Sequence, residues 1–466
     1  MSKKITIFDT RYAQAGVSTT DFSKDGGFSP LDKGQNLWVK KGLLYNGPVY
    51  TERAGTVYKI VAWAMGYSND TVVPMAVGDN GSNDGYFYSL ASTTGVGTQE
   101  LTTDTKDFFQ FKSDAIYFDG YFYVSSKDDV GRFTNAFGSA SYNWWSSIGG
   151  HSTLNIYCPH HLIEYDGKIY ITDDYKLHSW DGTDSVENAF SIPSNYKITT
   201  AVVHKNKMYI FASTDYGTGK DRFVASKCFI WNKITSETEY EDDFEINDKV
   251  YSAKVHDGVL YLWCSKAFGY WNGIKFVKIM DLNPTYPVYK QMITNNSEVL
   301  MFAHNKDIIA YDGNKYSYLF STENITALSS HRIDAIFSGY DDDIWASINN
   351  KIYKFDFEDN SGDGEGYHRF NRQDFSENVR IDRILIEFGE EMETGSDMPV
   401  TFYDENGDVR TIGDMKYSNG DRWYKDFNEV DEECASLQLR IENKTNAKPI
   451  KKITAWVTPT GDSVEE

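Results

Sequence analysis

A short unit recurs along the chain, and it constrains the fold more than any other feature. It is a tight turn of the type aromatic-Asp-Gly followed by a brief aromatic-rich run. Clear copies are Phe118-Asp119-Gly120 before Tyr121–Val124, Tyr165-Asp166-Gly167 before Lys168–Ile171, and His256-Asp257-Gly258 before Val259–Leu262. Looser copies are His204-Lys205-Asn206 before Met208–Ile210, Asn295-Asn296-Ser297 before Val299–Met301, and Tyr340-Asp341-Asp342 before Ile344–Ala346. With Asp119, Asp166, Lys205, Asp257, Asn296 and Asp341 as markers, the steps are 47, 39, 52, 39 and 45 residues. A period near 45 suits a propeller blade, in which about four short strands and their turns fill one unit.

A second landmark keeps register with the first. An aromatic followed by a small polar residue occurs at Phe133-Thr134, Trp180-Asp181, Trp231-Asn232, Trp271-Asn272, Tyr311-Asp312 and Phe355-Asp356. Its polar member falls 15, 15, 27, 15, 16 and 15 residues after the marker. The long interval holds Asp215-Tyr216-Gly217-Thr218-Gly219-Lys220, which reads as an inserted hairpin loop. An earlier unit, Asn69-Asp70 before Thr71–Met75 and then Tyr86-Phe87-Tyr88, brings the expected number of blades to about seven. The segment from Asn36 to Gly47 resembles an outer-strand pair that would complete the last blade, and residues 1–35 read as an arm. Asp-Gly and Asn-Gly supply the positive φ that tight hairpins need, and each sheet must bury its aromatic faces against its neighbours.

Beyond the propeller (36–357) lies a polar, Gly-rich stretch read as a linker over 358–378, and the pattern then changes. Leu437, Leu439 and Ile441 alternate with polar residues, as do Ile453, Ala455 and Val457, and Ile384, Ile386 and Phe388 open the segment in the same way. Alternation with period two marks strands with one buried face, so 379–466 is expected to be a small C-terminal β-sandwich and the whole chain all-β.

Chemistry-bearing patterns are sparse. The net charge of −22, from 68 acidic and 46 basic residues, argues against a gripped nucleic acid or an anionic lipid surface. Cys158, Cys228, Cys264 and Cys434 form no CxxC pair and read as buried free thiols of a protein assembled in a reducing cytosol. The N-terminal residues lack the apolar core of a signal peptide, and no apolar run is long enough to span a membrane. The sialidase Asp-box is absent, and the propeller region offers only Arg53, Arg132, Arg222 and Arg332 for a carboxylate-binding cluster, which disfavours a glycoside hydrolase. Adjacent His160 and His161 on a strand would face opposite ways and could not share an ion with Cys158. The loop starting at Asp359 resembles a calcium loop but has Phe370 where a bidentate Glu is needed. No metal, cofactor or catalytic residue is therefore assigned. Trp144 and Trp145 are candidates for a glycan-stacking platform, weighed against burial in a blade interface, and Trp423 is a further candidate aromatic.

The end of the chain, Leu437-Gln438-Leu439-Arg440-Ile441-Glu442 through Pro449-Ile450-Lys451-Lys452-Ile453-Thr454-Ala455-Trp456-Val457, is similar to the last two strands of the tail-nozzle, or packaged-DNA-stabilisation, proteins of short-tailed phages. Val379–Phe388 likewise resembles β-domains common in phage tail proteins. The resemblance implies a non-enzymatic virion component, assembled in the host cytoplasm, that forms a ring of six copies at the DNA exit channel beside the portal and adaptor. A carbohydrate-binding adhesin is the alternative.

Overall fold

In the computed structural model of the chain, the hairpin turns that mark the repeat adopt the backbone their residues favour. Asp119, Asp166 and Asp257 have φ of 47°, 50° and 48°, and the glycines that follow them have 80°, 70° and 72°. Lys205 and Asn206 do the same at 49° and 59°. Positive φ at both central residues is the type I′ turn, whose twist matches that of the strands it joins. The structure describes most of the chain; outside the description lie residues 1–2, 10–30, 80–84, 90–98, 102–112, 135–139, 215–224, 339–343, 357–365, 417–422, 444–447, 464–466 and a scatter of shorter turn segments. The markers Asn296 and Asp341, the Asn69-Asp70 turn, the inserted loop at 215–220 and most of the calcium-like loop fall there.

Among the described residues seven four-stranded antiparallel sheets follow one another, the blades of a β-propeller. Their innermost strands are Lys59–Ser68, Ala115–Phe118, Leu162–Tyr165, Lys197–His204, Val250–His256, Ile293–Asn295 and Ile333–Ser338, from the first blade to the seventh. In the second to seventh blades the third strand ends at the second sequence landmark, for example Lys176–Trp180, Ser226–Trp231 and Ala267–Trp271. Its aromatic packs on the blade before. Trp231 stacks on Phe190 with ring centroids 4.4 Å apart and meets Tyr170 edge-on at 5.3 Å. Trp271 stacks on Phe244 at 3.7 Å, Tyr311 meets Phe268 at 5.6 Å, Phe355 meets Phe320 at 5.0 Å, and Phe133 meets Phe87 at 4.3 Å. Trp180 donates its indole N–H to the Tyr123 hydroxyl, 3.0 Å away. These rings bury large apolar areas, and their tilted and stacked pairings add about 0.5–1.5 kcal/mol each.

The seventh blade is closed differently from the sequence expectation. Its strands Ile333–Ser338, Ile344–Ile348 and Lys351–Asp356 take one further strand, Val49–Glu52, in the register Phe355↔Tyr50 and Tyr353↔Glu52. Lys351 Nζ lies 2.7 Å from Glu52 Oε1 beside that seam. The expected closing pair, Leu37–Lys40 with Leu43–Asn46, is a hairpin, but it joins the C-terminal sheet through Leu44↔Ile450 and rests on the outer strand Tyr316–Ser321 of the sixth blade. A three-stranded blade has room for one strand at its open edge, so a hairpin cannot complete it.

The C-terminal unit is a sandwich built from both ends of the chain. Lys3–Asp9 pairs with Ile450–Ser463, and Leu31–Gln35 pairs with Gly366–Phe370, so the segment read as an arm contributes two strands. The segment read as a linker contains Gly366–Phe370 and the start of Gln373–Phe388. The 20-residue strand Tyr424–Asn443 passes from one layer to the other: its first part pairs with Gln373–Phe388, and its last with Asp397–Tyr403 and Gly366–Phe370. Asp431, at φ 53°, lies beside the register shift where it bends. The alternating residues Leu437, Leu439, Ile441, Ile453, Ala455 and Val457 are buried together with Val400 and Phe402 in a single core.

Trp231→Ala should lower the unfolding free energy by about 3–5 kcal/mol, because it empties a fully buried interface between the third and fourth blades. Denaturant unfolding measures this; a loss below about 1 kcal/mol would show that the interface does not carry stability.

Candidate functional site

The innermost strands surround an axial cavity of about 400 Å³. Its wall is mostly apolar, from Trp63, Ile116, Tyr117, Ile163, Val202 and Ile293, and four charged side chains interrupt it: Asp114, Glu164, Lys254 and Lys290. One segment crosses the cavity. The link between the fifth and sixth blades ends in a short 3-10 turn, Lys290–Met292. From it Lys290 Nζ reaches Asp114 Oδ2 at 2.5 Å and the Leu162 carbonyl at 3.2 Å. The carbonyl of Gln291 accepts the Trp63 indole N–H at 3.2 Å, and that of Val288 accepts the Ser252 hydroxyl at 2.7 Å. Residues 288–292 are thus tied to the first, second, third and fifth blades and close the end at which the inner strands begin.

Asp114 anchors this closure. Its carboxylate accepts the backbone N–H of Ala115 at 2.9 Å and of Leu162 at 2.9 Å, and His161 Nδ1 lies 3.6 Å from it. Burial alone would raise its pKa, but the Lys290 ammonium and His161 hold it below the usual carboxylate range. A carboxylate so committed is a structural counter-ion and a poor proton donor. Asp334, on the inner strand of the seventh blade, shows the opposite balance. Burial raises its pKa to about 6 against the pull of Lys59, 3.9 Å away, and His331.

Lys254 is the unusual member of the wall. Among the described residues, its ammonium has no hydrogen bond and no carboxylate within the 4.0 Å ion-pair distance. Burial, reinforced by the Lys290 charge, brings its pKa down to about 8. The Gln291 side-chain amide is buried and lacks a partner for its N–H₂ group. Sequence reasoning passed over this cluster. Lys254 sits in an ordinary alternating run, and the only hint of the closing segment is Pro284 and Pro287, two of the chain's ten prolines within four positions.

The residues singled out in the sequence lie elsewhere. Trp144 and Trp145 open the four-residue helix Trp144–Ser147 and are 2% and 0% exposed, so they offer no platform to a sugar. Trp144 packs edge-on against Trp180 at 5.1 Å and Tyr123 at 4.9 Å, and Trp145 stacks on His151 at 4.3 Å. They fill the interface between the second and third blades. Trp423 is 52% exposed, and its indole N–H donates to Glu391 at 3.0 Å. His160 faces the carbonyls of Thr172 and Lys127, each 3.0 Å away, whereas His161 faces Thr199 and Asp114. Among the described residues no three His, Cys, Asp or Glu side chains are grouped to hold a metal ion, and all four cysteines are buried outside any disulfide.

No protein-family model matches the chain, and no curated protein is similar enough in sequence to match it. Solved structures of similar shape exist. A streptogramin B lyase structure aligns over 66% of this chain and 98% of its own, at 12% identity and a TM-score of 0.46. The BBS1N domain, solved in complex with ARL6DN, aligns over 66% of this chain and 95% of its own, at 9% identity and 0.44. An exo-β-1,3-galactanase from Phanerochaete chrysosporium aligns over 87% and 99%, at 9% identity and 0.37. Likeness at this level concerns the all-β, propeller-like fold and carries nothing about activity.

Lys254→Met should stabilise the protein at pH 7. The unfolded lysine is protonated up to about pH 10.4, so a folded value of about 8 penalises folding fully below pH 8. The penalty fades as pH rises from there. The gain should be at most about 3 kcal/mol at pH 7 and vanish near pH 10.5. Thermal melts across that range test it; a variant less stable at pH 7 would contradict the assignment.

Proposed function

We infer that the chain is a non-enzymatic structural component of a phage virion, a tail nozzle or hub subunit that works as a ring of copies. What chiefly supports the reading is the way the propeller is carried. It sits as a closed insert within a sandwich built from both ends of the chain. The sandwich strands Tyr424–Asn443 and Ile450–Ser463 are those whose sequence resembles the tail-nozzle proteins. A propeller mounted this way presents a rigid body at a fixed attachment, which suits an assembly subunit. Its own tunnel is crossed by the Lys290–Asp114 pair and cannot conduct a nucleic acid, so a DNA channel would be the space enclosed by several copies. A net charge of −22 suits a lumen that passes DNA without gripping it.

A second reading, a carbohydrate-binding adhesin, rests on exposed Trp423 and Tyr424 at the sandwich, not on the tandem tryptophans of the propeller. Native mass measurement of the 53.2 kDa chain, alone and mixed with particles that lack it, separates the two. A closed oligomer, free or formed on the particle, is the expected result. A monomer that ignores particles and binds glycans on an array would replace the virion reading with the adhesin.

A further inference from the structure

The axial cavity combines an apolar wall with an ammonium that the protein leaves without a counter-ion. Its volume, about 400 Å³, falls in the range of roughly 300–1,000 Å³ typical of small-molecule sites. Lys290 is neutralised by Asp114, but Lys254 is not neutralised by any described carboxylate. An unpaired ammonium against an apolar wall carries a desolvation cost that a bound anion would remove. Glu164, exposed on the wall, places one negative charge in the same space and repels a second anionic group.

We propose that the tunnel is a binding site for a small monoanionic carboxylate with a flat apolar body, its carboxylate on Lys254 and its body against Trp63, Ile163 and Val202. The carboxylate gains a charge-assisted hydrogen bond from the Lys254 ammonium. The apolar body displaces water from the surrounding aliphatic and aromatic wall. The lowered pKa of Lys254 accords with a cation that lacks its counter-ion until the ligand arrives. This site stands apart from the virion reading and does not depend on it.

Isothermal titration of the full chain at pH 7 with 2-naphthoate and with neutral 2-naphthamide tests the proposal. The expected result is one saturable site per chain for the acid, with the amide at least about tenfold weaker. Lys254→Met, which swaps the ammonium for an apolar chain of similar length, should weaken the acid about tenfold and leave the amide unchanged. Ala253→Phe, which fills the cavity, should abolish both. No saturable binding of the acid, equal binding of acid and amide, or a Lys254→Met variant that binds the acid as well as the parent chain would each overturn it.

Discussion

The structure depends on an aromatic ring handed from the end of one blade's third strand onto the blade before it. Six times the ring falls at the same place in the repeat: Phe133, Trp180, Trp231, Trp271, Tyr311 and Phe355. A single four-stranded sheet has two faces to bury and cannot do so alone. The handed ring joins neighbours through large apolar area in a defined geometry. At the junction between the seventh and first blades the ring contact lies instead between inner strands, Trp63 against Phe337 at 5.8 Å. A ring of blades has no terminal interface to fray, provided that it closes.

Closure depends on backbone pairing. Val49–Glu52 supplies the outer strand of the seventh blade, so the segment before the first blade completes the last. The same stretch of chain, through Leu37–Lys40 and Leu43–Asn46, joins the sandwich. The two units therefore share their fastening, and the N-terminal segment cannot leave one without loosening the other.

The repeat was legible because its signals are local. Type I′ turns demand Asp, Asn or Gly at the positions of Asp119-Gly120, Asp166-Gly167 and Asp257-Gly258, and period-two alternation reveals Leu437–Ile441 and Ile453–Val457 wherever one face is buried. What the sequence hid was long-range. Leu37–Lys40 and Val49–Glu52 look equally strand-like, and only the number of free edges on the seventh blade decides between them. Tandem tryptophans read the same whether exposed or buried, and Trp144 and Trp145 are placed in part by Trp180 and His178, on a distant strand of the next blade. Lys254 and Lys290 share a cavity with Asp114 and Glu164 only because seven inner strands converge, so no spacing in the sequence could group them.

The central claim is that closure by Val49–Glu52 makes the propeller one cooperative unit held from its N-terminal side. Hydrogen exchange resolved to peptides tests it directly. The account predicts that amides of 49–52 and 351–356 exchange slowly and together, at a rate that follows global unfolding. Fast exchange at 49–52, with 351–356 opening independently of the other blades, would contradict it.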